Sequence, residues 1–153
     1  MSWLSNTDLE NAIEQWGDDG VKQAFRGIYS NDRLPHTLLK PPAFIIVNTD
    51  VHNLPGQHWK VIFINDLYEG EVFDSLATPL SNHVIQFMNR HTTRWITNRR
   101  MVQHPTSSQC GAYVLYFITQ RLKHASLRDL CLTFSSNLKE NERMIHRFYR
   151  QLQ

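Results

Sequence analysis

The stretch that begins at Cys110 constrains the fold more than any other part of the chain. Ala112, Val114, Leu115, Phe117, Ile118 and Leu122 follow it. At 3.6 residues per turn they cover most of a helix circumference rather than one stripe. Such a helix belongs in the middle of a core, with other elements packed around it. Its expected companions are short strands. Residues 43–47, Ala-Phe-Ile-Ile-Val, are apolar, largely β-branched and preceded by Pro41-Pro42, which predicts a buried strand. A loop of turn formers (Asp50, Asn53, Pro55, Gly56) leads to a second strand over residues 59–64. A turn over 65–70 and a strand over 71–73 then complete a unit that reads as an antiparallel hairpin. The predicted class is α+β: a small, mainly antiparallel sheet packed around a central buried helix that starts at Cys110, with surrounding helices.

The remaining elements are read from caps and spacing. Thr7 and Glu10 have the spacing of a capping box, and Leu9, Ile13 and Trp16 mark one face of a helix stopping near Gly17. A short helix is expected at 21–25. Gly27, Asn31, Pro35 and Pro41-Pro42 make 26–42 read as an irregular connection. Helices are predicted near 80–90 and 126–132, and a strand over 96–103. The last helix is capped by Asn137 and carries Leu138, Ile145, Phe148, Tyr149 and Leu152 on one side. With 153 residues, no repeat and no linker, a single domain over 1–153 is the expectation.

The net charge of +2 hides a split. Residues 1–80 carry five Lys/Arg against eleven Asp/Glu, 5 − 11 = −6, and residues 81–153 carry eleven against three, 11 − 3 = +8. Such asymmetry points to a polyanionic partner for the second half, or to two halves that face each other or solvent. Arg90, Arg94, Arg99 and Arg100 cluster ahead of Cys110. Lys139, Arg143, Arg147 and Arg150 recur at helical spacing. That pattern suits phosphate contacts without sequence preference, or an ordinary solvated helix face. No apolar run approaches the roughly 20 residues that span a bilayer, and the start MSWLSNTDLE has no secretory leader. A soluble, intracellular monomer in a reducing compartment is expected, where a disulfide is disfavoured. No cysteine and histidine set has zinc spacing, and no glycine-rich phosphate loop is present, so no metal or nucleotide site is expected.

Cys110 follows the loop 105–109 and opens a helix, where unpaired N–H groups and the helix dipole favour thiolate. Gly111 beside it would let a substrate backbone come close. The alternative is a small buried core residue. A nucleophile needs a base, and His58 differs from the other histidines. It sits at the mouth of a predicted strand, whereas His83, His91, His124 and His146 read as surface residues. Antiparallel pairing brings Asp74, at the end of the neighbouring strand, close to His58, where it could orient the ring. Gln103, seven residues before Cys110, could donate to an oxyanion together with the Cys110 N–H. Cys131 reads as core.

Taken in order, Ile46-Val47-Asn48-Thr49, His58-Trp59, Phe73-Asp74 and the block from Val102 to Gly111 resemble the adenovirus-type cysteine endoproteases, in the same broad class as the SUMO-specific proteases. Gly27-Ile28-Tyr29 with Asp32-Arg33 is similar to that family's N-terminal segment. The resemblance implies Cys110 as nucleophile, His58 as base, Asp74 as orienter and Gln103 as oxyanion donor. It implies cleavage of viral precursor proteins at Gly-containing sites during particle maturation, in the host nucleus and virion. It also implies DNA and a short viral peptide as activators. The chain departs from the pattern in its length, in Asp74 where mammalian adenoviruses usually have Glu, and in lacking a cysteine ahead of Gln103 to tether the peptide. A protease for SUMO or ubiquitin-like tails, or an inactive DNA-binding module, are the alternative expectations.

Overall fold

Five strands lie in one sheet in sequential order, as seen in a computed structural model that describes residues 4–49, 58–123 and 125–153. The strands are β1 (Phe25–Ser30), β2 (Ala43–Asn48), β3 (Trp59–Ile64), β4 (Glu69–Phe73) and β5 (Arg94–Thr97). β2, β3 and β4 pair antiparallel, as expected for the hairpin. Both edges add parallel pairings, β1 with β2 and β4 with β5, so the sheet is mixed. The expected loop of residues 50–57 lies outside the described residues.

The helices are α1 (Asn6–Trp16), α2 (Asp19–Ala24), α3 (Asn82–His91), α4 (Cys110–Leu122), α5 (Leu127–Thr133) and α6 (Leu138–Leu152). α4 lies where its apolar circumference requires. Tyr113, Val114, Leu115, Phe117 and Ile118 are buried in one cluster with Phe44, Ile46, Val61, Phe63 and Phe73 from the sheet, and with residues of α1, α2, α5 and α6. Alternate strand residues point the other way. Ile45, Val47, Ile62, Ile64 and Val72 pack on Val84, Phe87 and Met88 of α3. Period-two alternation thus feeds two apolar layers from the same strands. α3 comes so close that a Cβ on Gly70 would stand 2.4 Å from Met88 Cε and 2.7 Å from Thr92 Cγ2.

Four expectations are corrected. The first helix begins earlier, and its capping box joins Ser5 to Asp8 rather than Thr7 to Glu10. Residues 25–30 form a strand, not an irregular connection. Gly27 at φ +108° and a register shift between Phe25 and Ile28 break the alternation that would have revealed it. The strand expected over 96–103 is confined to Arg94–Thr97. Past it, Val102 N and Gln103 N both donate to Ser75 O, at 2.8 and 3.0 Å, and this replaces a strand ladder. His91, expected at the surface, is buried and stacked on Phe87. His83 and His146 are exposed as expected, and His124 lies outside the described residues.

Candidate active site

Hairpin register brings the first two residues together. Val61 pairs with Phe73, so the β3 residues that precede Val61 lie beside those that follow Phe73. His58, just ahead of β3, donates from Nε2 to Asp74 Oδ1, just past β4. Cys110 lies close enough to the His58 ring for its hydrogen bonding and charge to raise the pKa of His58. The three residues therefore stand in the order Asp74, His58, Cys110. Burial, the largest single influence, would lower the pKa of His58. The bonds to Asp74 and Cys110 and their charges outweigh it and raise it to about 9. Burial likewise pushes the Asp74 carboxyl up, but His58, Thr78 and Lys60 together hold it well below the usual carboxylate range.

Asp74 is held from several sides. Leu76 N donates to Oδ1 at 2.9 Å, and Thr78 donates to Oδ2 through N at 2.9 Å and Oγ1 at 2.5 Å. Lys60 Nζ stands 3.4 Å from Oδ2. Asn98 grips the backbone: its Oδ1 accepts from Asp74 N at 2.9 Å, and its Nδ2 donates to Asp74 O at 2.7 Å. Lys60, Thr78 and Asn98 were not foreseen from sequence. The register that sets Val61 opposite Phe73 carries on to set Lys60 opposite Asp74, so that contact was there to be found. Asn98 had no comparable signal, because it acts across 24 residues from a loop.

Cys110 opens α4, and the N-cap Gln109 makes no side-chain cap bond, so nothing from that side chain competes for the first N–H groups of the helix. Cys110 is 6% exposed. Gln103 lies in the loop beyond β5 rather than at a strand end, and it is buried. Its Oε1 accepts from Ser75 Oγ at 2.5 Å and its Nε2 donates to Ser107 O at 3.0 Å. An amide NH2 has two hydrogens, and one remains for another acceptor. α6 braces this loop: Asn141 Nδ2 donates to Val102 O at 2.9 Å.

Gly111 is packed against the N-terminal part of the chain. A Cβ there would lie 2.9 Å from Leu4 Cβ, so the space beside it is taken by the chain's own Leu4. The Leu4 carbonyl accepts from Trp59 Nε1 at 3.0 Å. Leu4 thus packs on the residue next to Cys110 and is tied to Trp59, the residue next to His58.

The basic residues are dispersed. Lys139, Arg143, Arg147 and Arg150 are exposed along α6, and Arg99 is exposed beyond β5. Arg94 pairs with Glu69, Arg100 donates to Cys131 O and Phe134 O at 3.3 and 3.2 Å, and Arg90 lies 3.2 Å from His36 Nδ1. Cys131 is half-buried against the core, and burial pushes its thiol pKa up. Among the described residues no cluster of three metal-ligating side chains occurs, and no helix is long and apolar enough to cross a membrane.

No family model matches the chain. It is 29% identical over 93 residues to the cysteine protease S273R of African swine fever virus (isolate Tick/Malawi/Lil 20-1/1983), a match covering 53% of this chain and 34% of that protein. The counterpart in isolate Tick/South Africa/Pretoriuskop Pr4/1996, named SUMO-1 cysteine protease S273R, is 28% identical over the same length. The match thus spans about a third of the curated relatives' length. The crystal structure of the African swine fever virus pS273R protease superposes with a TM-score of 0.61 at 20% identity, covering 82% of this chain and 59% of that one. ChlaDub1 from Chlamydia trachomatis superposes with a TM-score of 0.51 at 18% identity, over 62% and 46%. The fold is therefore that of these proteins, and the chain is similar in sequence to viral cysteine proteases.

Proposed function

We propose that this chain is a cysteine-type endopeptidase in which Cys110 attacks the scissile carbonyl. The observation that carries this reading is the order Asp74–His58–Cys110 at the start of a buried helix. His58 takes the thiol proton, and the C–S bond forms as the carbonyl oxygen gains negative charge. The Cys110 N–H and the remaining N–H of Gln103 stabilise that charge. As the C–N bond breaks, His58 passes its proton to the leaving amine. It then activates water, which hydrolyses the thioester and frees Cys110. Asp74 stays ionised throughout and fixes the ring.

The substrates in this reading are precursor proteins cut beside glycine. A thiol on a residue that is only 6% exposed favours a substrate whose backbone lacks side chains at the cleavage point. A second reading, processing of SUMO-like tails, is favoured by the name carried by one relative. Iodoacetamide at neutral pH should alkylate Cys110 much faster than Cys131, and Cys110→Ala should abolish cleavage of fluorogenic peptides with glycine at the scissile bond. Equal labelling of both thiols, with cleavage surviving in Cys110→Ala, would overturn the assignment. Cleavage of SUMO-derived substrates alone would select the second reading.

A further inference from the structure

We propose that Lys60 is a positioning residue for the proton traffic of the His58–Asp74 pair: its ammonium, lodged behind the carboxylate, weakens the pair's hold on the proton that the leaving amine needs. This rests on the peptidase reading. Lysine is among the residues least often buried, yet Lys60 is 4% exposed within a strand whose other members are apolar. Strand register aims it. Continued one step past Val61 and Phe73, the antiparallel ladder sets Lys60 across from Asp74, and its Nζ comes within 3.4 Å of Oδ2.

The two oxygens of Asp74 then face different partners. Oδ1 accepts from His58 and from Leu76 N. Oδ2 accepts from Thr78 and faces Lys60. A cation behind the carboxylate draws on the same negative charge that holds the imidazolium, and it repels the imidazolium directly. Both effects make His58 a better acid than Asp74 alone would leave it. Among the described residues, the other charged groups around the pair are few. Cys110 faces the ring from α4. A cavity of about 230 Å³ beside His58 and Lys60 is otherwise lined by neutral side chains, among them Asn31, Thr49, Thr78 and Ser81. Among the described residues, Lys60 is thus the lysine or arginine charge set directly against Asp74.

The test is an NMR titration of the His58 ring in histidine-labelled protein, assigned by loss of its signal in His58→Gln. In Lys60→Met the midpoint should rise by about one pH unit, the size expected for loss of one charge several ångströms away in a partly screened site. Lys60→Arg should restore it. The alkaline limb of kcat/KM should move by the same amount while kcat falls several-fold. Lys60→Gln, which keeps a donor beside Asp74 but removes the charge, gives the same readout should the apolar variant not fold. A lysine that merely props the fold would alter stability and leave the midpoint in place, and that result overturns the proposal. Because the ring is read directly, the result stands even if no peptide is cleaved, which would count against the peptidase reading instead.

Discussion

Asn141 of α6 donates to the carbonyl oxygen of Val102 at 2.9 Å, so the C-terminal helix is fastened to the residue immediately before Gln103. The same side chain accepts from Ser135 N at 2.7 Å and donates to Ser135 O at 2.8 Å. Asn141 is buried, so Asn141→Ala removes a partner from three backbone groups, of which Val102 O keeps only the Tyr113 hydroxyl at 3.4 Å. A loss of about 2–4 kcal/mol is expected in urea unfolding. Peptide cleavage should fall through kcat more than through KM, because the Val102–Gln103 loop loses its brace.

The raised pKa of His58 makes stability depend on pH in a definite direction. The folded value is about 9 and the ordinary value 6.5. The contribution is therefore complete below 6.5 and is lost as pH rises through 9. Denaturant midpoints should fall between pH 7 and 10, by an amount on the order of 3 kcal/mol in unfolding free energy. In His58→Gln that fall should be much reduced. The depressed Asp74 works at the opposite end: its contribution is present above the ordinary carboxylate value and is lost only in strong acid.

Asp74→Asn keeps the shape of the side chain and removes its charge. The His58 midpoint should then drop, because the bond and charge of Asp74 are what raise it. Cleavage should slow by up to about 10⁴-fold, the size of loss when the orienting carboxylate of a triad is neutralised. Stopped assays across pH 5–9 would show both effects.

Gly111→Ala should act on Leu4 before it acts on Cys110, since the added methyl would lie 2.9 Å from Leu4 Cβ. The expected cost is about 1–3 kcal/mol of overpacking. Leu4→Ala has lost the two outer contacts at 3.0 and 3.3 Å, so the double variant should be more stable than the sum of the two singles predicts. A thermal-melt double-mutant cycle measures that coupling.

The exposed residues Lys139, Arg143, Arg147 and Arg150 on α6 support a proposal of DNA contact. Replacing Arg143 and Arg147 by Gln should weaken DNA binding and flatten the dependence of log K on log salt by about 0.9 per lost phosphate contact. Cleavage of a short peptide without DNA should be unchanged. An unaltered salt slope would remove α6 from any such interface.

The layout was legible wherever side-chain pattern and structure share a period. The apolar run of α4, the hairpin of β3 and β4, and the meeting of His58 with Asp74 all follow from spacing. What escaped depends on backbone irregularity or on distance along the chain. β1 hid behind Gly27 and a bulge. The loop carrying Gln103 looked like strand because apolar Met101 and Val102 follow Trp95 and Ile96 after only a short polar stretch. Its N–H groups instead converge on Ser75, which no local pattern announces. Asn98 and Asn141 resemble ordinary loop and helix polars until their partners, 24 and 39 residues away, are seen.

The tight turn that joins β3 to β4 has a practical use. Asn65 Oδ1 accepts from Leu67 N and Glu69 N at 2.9 Å each, which pins the turn by its own side chain. Lys60 and Asp74 stand at the opposite end of the hairpin, about 15–20 Å away at the rise of an extended strand. Leu67 is 73% exposed. An affinity peptide or fluorophore attached at Leu67 would therefore ride on the molecule at its greatest remove from the chemistry along this hairpin. That makes it an attachment point for immobilising the protein with its cleft facing away from the support.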